Sequence, residues 1–337
     1  MNPRSATIAL IVLVGLAGIG LAWWALAPAA TPPGPLEPIT IAWSPFESTV
    51  LFWVADDRGF FRENGLCVTL RRYETGAASL DGVVNGEADL CVGATEYPLA
   101  RQAFRNASIR AIACVDRGEF NYIVGRKDRG ITAPTDLRGR RVGVARGTIA
   151  EFHLARYLTL AGMTPADITV VDLRTPAEWV NAAADGTIDA VATSQPYADG
   201  ARNRLGGNAV VWPIQSDQPL YALVVADDGW LGAHPGTARA FLASLADAEA
   251  YVAAHPSESR AIVQRRLDLD PGYMDTVWRE NRFALSLDQS LIAAMEDEAR
   301  WMIATNMTNA TTIPDVRSYI DETALEQVRP ESVRIID

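Results

Sequence analysis

Short apolar runs alternate with helically spaced apolar positions along most of this chain. Residues 39–43 (ITIAW) read as a first strand, and the polar stretch 44–48 as the turn after it. Thr49 stands where an N-cap belongs, ahead of a helix expected to run to residue 62 and to carry Phe52, Trp53, Phe60 and Phe61. Residues 66–71 predict a second strand, 75–79 open a helix that ends near Gly86, and 88–92 predict a third strand. From residue 142 the same pattern returns. A strand at 142–145 is broken by Arg146–Gly147, and Thr148 caps a helix with Ile149, Phe152, Ala155 and Leu158 on one face. A strand at 168–173, a helix over Pro176–Asp185 and a strand at 188–192 complete the second set.

The repetition extends to detail. Asn85-Gly86-Glu87-Ala88-Asp89 parallels Asp185-Gly186-Thr187-Ile188-Asp189, a helix end followed by a strand, and each third strand runs into a polar loop containing proline. Two βαβαβ halves imply an α/β protein with two parallel-sheet lobes, helices on both faces of each. Ligands in such sheets lie beyond the carboxyl ends of the strands, where helix beginnings present free N–H groups and a positive dipole end. Strands at 109–115 and 120–125 would carry the chain across, and those at 210–213 and 221–226 would bring it back, making a two-strand hinge with a cleft between the lobes. The division expected is 39–122 with 218–337 for the first lobe and 123–217 for the second. The helical tail after Trp230 carries one apolar stripe (Phe241, Leu242, Leu245, Ala248, Val252) and another through Leu291, Met295 and Trp301. It reads as packing on the first lobe, with no chemistry of its own.

Composition narrows the function. The net charge of −11 argues against nucleic acid, which needs a basic face. The three histidines are scattered and the three cysteines, Cys67, Cys91 and Cys114, share no ligand spacing, so neither a metal nor a cofactor is expected. Each cysteine lies in an apolar stretch and reads as a buried free thiol. Residues 1–38 read as a signal or membrane anchor joined to a proline-rich spacer. Arg4 precedes an uncharged run at 5–30, long enough to span a bilayer, and Pro28, Pro32, Pro33, Pro35 and Pro38 make the spacer stiff and extended. Cleavage after the Ala27-Pro28-Ala29 stretch remains an alternative to anchoring. Either way the folded part is expected outside the cytoplasmic membrane.

The stretch ITIAWSPFESTVLFWVADDRGFFRENGL, then Gly86-Glu87-Ala88-Asp89, Val124-Gly125-Arg126-Lys127-Asp128, Asp136-Leu137-Arg138-Gly139-Arg140-Arg141-Val142, Gly147-Thr148 and His234-Pro235 occur in one order. That ordered set resembles the extracytoplasmic solute-binding proteins of ABC importers, in the subgroup handling sulfonates, taurine, nitrate and thiamine-pyrimidine precursors. The resemblance runs from residue 39 to about 303. It implies the type II periplasmic-binding-protein fold, closing on a small polar or anionic solute that is handed to an ABC permease and its ATPase, with the binding protein a monomer and no catalysis. Carried onto this sequence, it implies ligand contacts from Ser44, Pro45 and Phe46, from Gly76, Ala77, Ala78 and Ser79, from Thr95 and Glu96, from Asn121 near the hinge, from Arg146, Gly147 and Thr148, and from Ser194, Gln195 and Tyr197. All but Asn121 come after strands that the pattern makes parallel.

Glu96 bears on ligand charge. A carboxylate lining the cleft would disfavour a purely anionic solute and favour a zwitterion, an amine or a pyrimidine-like heterocycle. Pointing elsewhere, it leaves anions open, and an arginine fork at Arg146 would then suit a sulfonate, carboxylate or phosphate. Two other functions share the resemblance: an enzyme on the same fold, of the pyrimidine or menaquinone-precursor synthesis type, and a membrane-tethered ligand sensor. The pyrimidine synthases carry a cysteine-rich motif that this sequence lacks.

Overall fold

The computed structural model describes residues 35–336. The first half runs β1 (Glu37–Trp43), α1 (Val50–Arg58), β2 (Leu66–Arg72), α2 (Gly76–Val84), β3 (Leu90–Thr95), α3 (Glu96–Ala103) and β4 (Ile109–Gly118). The second runs β5 (Asn121–Arg126), β6 (Arg141–Val144), α4 (Ile149–Leu160), β7 (Thr169–Asp172), α5 (Pro176–Asp185), β8 (Ala190–Ser194), α6 (Tyr197–Leu205) and β9 (Ala209–Pro213). Strand β10 (Leu220–Asp227) returns to the first sheet. Helices α7 (Pro235–Ala254), α8 (Pro256–Leu267), α9 (Pro271–Glu280) and α10 (Gln289–Ala304) come next.

Two sheets result. The six-stranded one is ordered with the short strand Asn281–Arg282 at one edge, then β4, β10, β3, β1 and β2; the five-stranded one is ordered β7, β6, β8, β5, β9. The parallel pairs expected from the repeat are present, β1 with β2 and β3, and β6 with β7 and β8. The sheets are nonetheless mixed rather than wholly parallel. β10 lies antiparallel to β3, and β5 antiparallel to β8. Each half therefore receives its antiparallel strand from the segment that crosses between the sheets, which strand periodicity cannot assign because direction is set by where the chain goes next.

Both crossings are tied by one buried side chain. Gln215 donates through Nε2 to Gly118 O and to Gln218 O, 3.0 Å each, and its Oε1 accepts from Asn121 N at 2.9 Å and from Phe120 N. Ile214 N donates to Asn121 O at 3.0 Å. These bonds give the buried backbone of the crossing the partners that burial demands.

The helix expected over 49–62 is interrupted. α1 stops at Arg58, Gly59 adopts φ +80°, and a separate turn, Phe60–Glu63, swings Phe61 onto Phe241 of α7 with ring centroids 5.5 Å apart. The tail does pack on the larger sheet's core through Phe241, Leu242, Leu245 and Met295. It also reaches the second half: Trp301 of α10 meets Phe152 of α4 edge-on at 5.6 Å. Ile149 and Phe152 thereby belong to the larger sheet's apolar cluster, while Ala150, Leu154 and Leu158 of the same helix belong to the smaller sheet's. Cys91 and Cys114 are buried, but Cys67 is exposed, because β2 is an edge strand. The candidate anchor at 5–30 lies outside the described residues. Among the described residues no helix is long and apolar enough to cross a membrane.

Candidate ligand-binding cleft

A cavity of about 110 Å³ opens between the two sheets. The first half contributes Phe46 and Ser48 from the turn before α1, Thr75, Gly76 and Ala77 at the start of α2, and Gly93, Thr95 and Pro98 around the β3–α3 junction. The second contributes Ala145, Thr148, Ile149 and Ala150 at the start of α4, Trp179 from α5, and Ala192, Thr193 and Ser194 at the end of β8. Phe120, Asn121 and Leu220 from the crossings close the back.

The beginnings of α2, α3 and α4 thus point at one space. Gly76 is required there: a Cβ would stand 2.7 Å from Gly93 O, so only glycine lets α2 begin against the β3 backbone. Thr75 caps its helix, its Oγ1 accepting from Ala78 N at 3.1 Å. Thr148 occupies the equivalent position on α4 yet makes no capping bond; its hydroxyl donates to Ala145 O at 2.7 Å, and Glu151 takes the Gly147 N–H instead. Thr95 likewise makes no side-chain cap on α3. Among the described residues no charged side chain lines the cavity. Its positive potential comes from helix ends, each equivalent to roughly half an elementary charge. The rest of the wall is apolar and aromatic: Phe46, Pro98, Phe120, Ile149 and Trp179.

Of the residues expected to touch a ligand, the structure brings together Phe46, Gly76, Ala77, Thr95, Asn121, Thr148 and Ser194. Ser44 and Ser79 are fully buried behind them, Ser79 with its hydroxyl donating to Gly76 O at 2.8 Å. Pro45, Ala78 and Gly147 flank the wall without lining it; Gly147 O accepts from Arg101 of α3 at 3.2 Å, a bond between the halves. Arg146 turns away, its side chain half exposed and 4.0 Å from Glu151, on the rim of a different groove. Gln195 is buried and accepts from Asp199 N. Tyr197 backs the wall, edge-on to Trp179 at 5.1 Å and to Phe46 at 6.1 Å across the cleft.

Glu96 neither lines the cavity nor meets solvent. It is fully buried, and its Oε2 accepts from Tyr221 N at 3.0 Å. Burial pushes its carboxyl up to about 8, and Glu298, also fully buried, is pushed well up by burial and by Glu96. A second buried acidic group lies below the turn before α1: Glu47 is raised to about 7 by burial, and Asp116 is raised well above the ordinary range by burial and then by Glu47. At pH values where they are protonated, these groups add no negative field to the cleft.

Several lining residues escape a reading built on loops after strands. Trp179 arrives from the buried face of a helix, Thr193 from inside β8, and Phe120 and Leu220 from the crossings. His153 is behind the wall, fully buried, with Nδ1 2.9 Å from the Asn121 side-chain amide. Only the period of α4 hinted at it: one residue after Phe152, it turns with the apolar face.

The family described as NMT1/THI5 like matches residues 48–259. The chain is 26% identical over 235 residues to 4-amino-5-hydroxymethyl-2-methylpyrimidine phosphate synthase of Aspergillus parasiticus, covering 65% of this chain and 66% of that one. It is 25% identical over 206 residues to the taurine-binding periplasmic protein of Escherichia coli, covering 59% and 62%. Among solved structures it is similar to the periplasmic aliphatic sulphonate binding protein of Escherichia coli, with TM-score 0.72, 20% identity, and coverage of 84% of this chain and 97% of that one.

Proposed function

We propose that this chain, which belongs to the NMT1/THI5-like family, captures a small organic anion between its two lobes outside the cytoplasmic membrane and delivers it to an ABC permease and its ATPase. The observation that carries this reading is the convergence of three helix beginnings on a cavity whose described lining holds no charged side chain. An anionic head group there would be held by backbone N–H groups and by the hydroxyls of Thr75, Thr95, Thr148 and Ser194. The apolar wall would take an aliphatic or aromatic body. Sulfonates fit this division, since they stay ionised at every physiological pH and present three acceptors. The relatives named for taurine and aliphatic sulphonate support the class, without fixing the molecule.

Among the described residues the cavity wall carries no cysteine, histidine or charged side chain, and His153, behind Asn121, is held neutral by burial. The reading is therefore capture and release. Calorimetry of the full-length chain against taurine, alkanesulfonates, nitrate and aromatic carboxylates tests it. One equivalent bound, recovered chemically unchanged, is the expected result; turnover, or silence across the panel, overturns it.

A further inference from the structure

The main chain of Asn121 has no freedom left. Its N–H is given to Gln215, its C=O is taken by Ile214, and it pairs with Ser194 in the sheet. What remains is a half-turn of the side-chain amide, and His153 governs that half-turn. With Nδ2 placed 2.9 Å from His153 Nδ1, the histidine must carry its proton on Nε2, a buried atom with no partner, and Asn121 turns its carbonyl oxygen to the cleft. With the amide reversed, His153 donates from Nδ1 to Asn121 Oδ1, the unpartnered Nε2 keeps only a lone pair, and the NH2 group faces the cleft. Leaving a buried N–H unpaired is the rarer arrangement in folded proteins. An anion beside the carbonyl would be repelled, whereas beside the NH2 it gains a charge-assisted hydrogen bond.

From this geometry we infer that His153 is a positioning residue: when an anion occupies the cleft, its proton sits on Nδ1 and locks Asn121 as a donor, giving the site its preference for anions. The inference rests on the anion-capture reading and adds the device that enforces it. Burial suits His153 to this role. Its ring is held neutral, its basicity pushed down to about 3 by burial and by Arg156, so it exchanges tautomers without bringing a charge into the site.

Nitrogen-15 histidine NMR of the full-length chain distinguishes the two neutral tautomers directly. In a titration with propane-1-sulfonate, monitored in parallel by calorimetry, the His153 proton should be found on Nδ1 at saturation. Binding of propane-1-sulfonate, or of any other anion of the capture panel used in its place, with the proton on Nε2 overturns the inference and leaves capture intact; silence across that panel removes capture, and the inference with it. Variants give an independent arm. His153→Phe should weaken propane-1-sulfonate about tenfold, the loss of roughly one hydrogen bond to a charged group. His153→Gln, whose amide N–H can still hold Asn121 Oδ1, should recover most of that loss. A folded His153→Phe chain that binds sulfonate as tightly as the native one contradicts the assignment; one that fails to fold leaves the NMR result to decide.

Discussion

The two halves are alike at the edge far from the cleft and different at the edge that faces it. Asp89 opens β3 by accepting from Thr40 N through Oδ2 at 2.7 Å and donating its own N–H to Thr40 O. Asp189 opens β8 in the same way against Arg141, with 2.9 Å to the main-chain N. Gly86 and Gly186 both turn at positive φ just before them. At the cleft the equivalence fails. Thr75 spends its hydroxyl oxygen on capping α2 while Thr148 does not cap α4, and Glu96 comes after β3 where Gln195 comes after β8. The far edge must satisfy the same backbone groups in each half, so the same residues solve it. The near edge borders the cavity, and the halves differ there: Thr75 caps α2, whereas neither Thr95 on α3 nor Thr148 on α4 caps its helix.

Thr148→Phe attacks the second half directly. It should reduce affinity for any cleft ligand by at least about a hundredfold, roughly 2.7 kcal/mol, in a calorimetric titration. Full affinity in that variant would mean the second half does not form the wall.

Glu96→Gln makes the first half resemble the second, since Gln195 already accepts a backbone N–H as an amide, from Asp199 at 3.1 Å. Glu96 titrates near 8 in the fold against an ordinary 4.5, and Glu47 near 7. The native chain therefore holds protons that the unfolded chain releases. This contribution is complete below about pH 4.5 and is lost as pH rises toward 8, a decline of a few kcal/mol at about 1.4 kcal/mol per unit. Thermal melts from pH 5 to 8 should show it, and Glu96→Gln should flatten much of the slope; an unchanged slope would place the titration elsewhere.

Removing the shared far-edge carboxylate tests the likeness itself. Asp89→Ala and Asp189→Ala should each cost about 1–3 kcal/mol by stranding a backbone N–H. Asp189→Ala should cost more, because that carboxyl is also held by Arg141 and Arg129 at 3.1 and 3.5 Å. Urea denaturation ranks them. Thr75→Ala should cost about 1 kcal/mol for a lost cap, and the smallest effect is expected from Thr148→Ala, which loses no cap and only the hydroxyl bond to Ala145 O.

The chain's own order of residues was enough to establish the duplicated βαβαβ pattern, the helix starts and the loops that reach the cleft. Apolar period and turn chemistry are local, and each half carries both. The resemblance placed Phe46, Gly76, Thr95, Thr148 and Ser194 in those loops, and all five line the cavity. Tertiary packing decided the remainder. Whether Glu96 faced the ligand or the core depended on Tyr221, 125 residues away, offering a backbone N–H. Which strands ran antiparallel depended on where the chain crosses between the sheets, at two segments nearly a hundred residues apart that Gln215 ties together. Trp179 and His153 entered the site from helix faces that look locally like ordinary core. A side chain's period says which face it lies on, but only the element packed against that face determines whether it meets a core, a partner or a ligand.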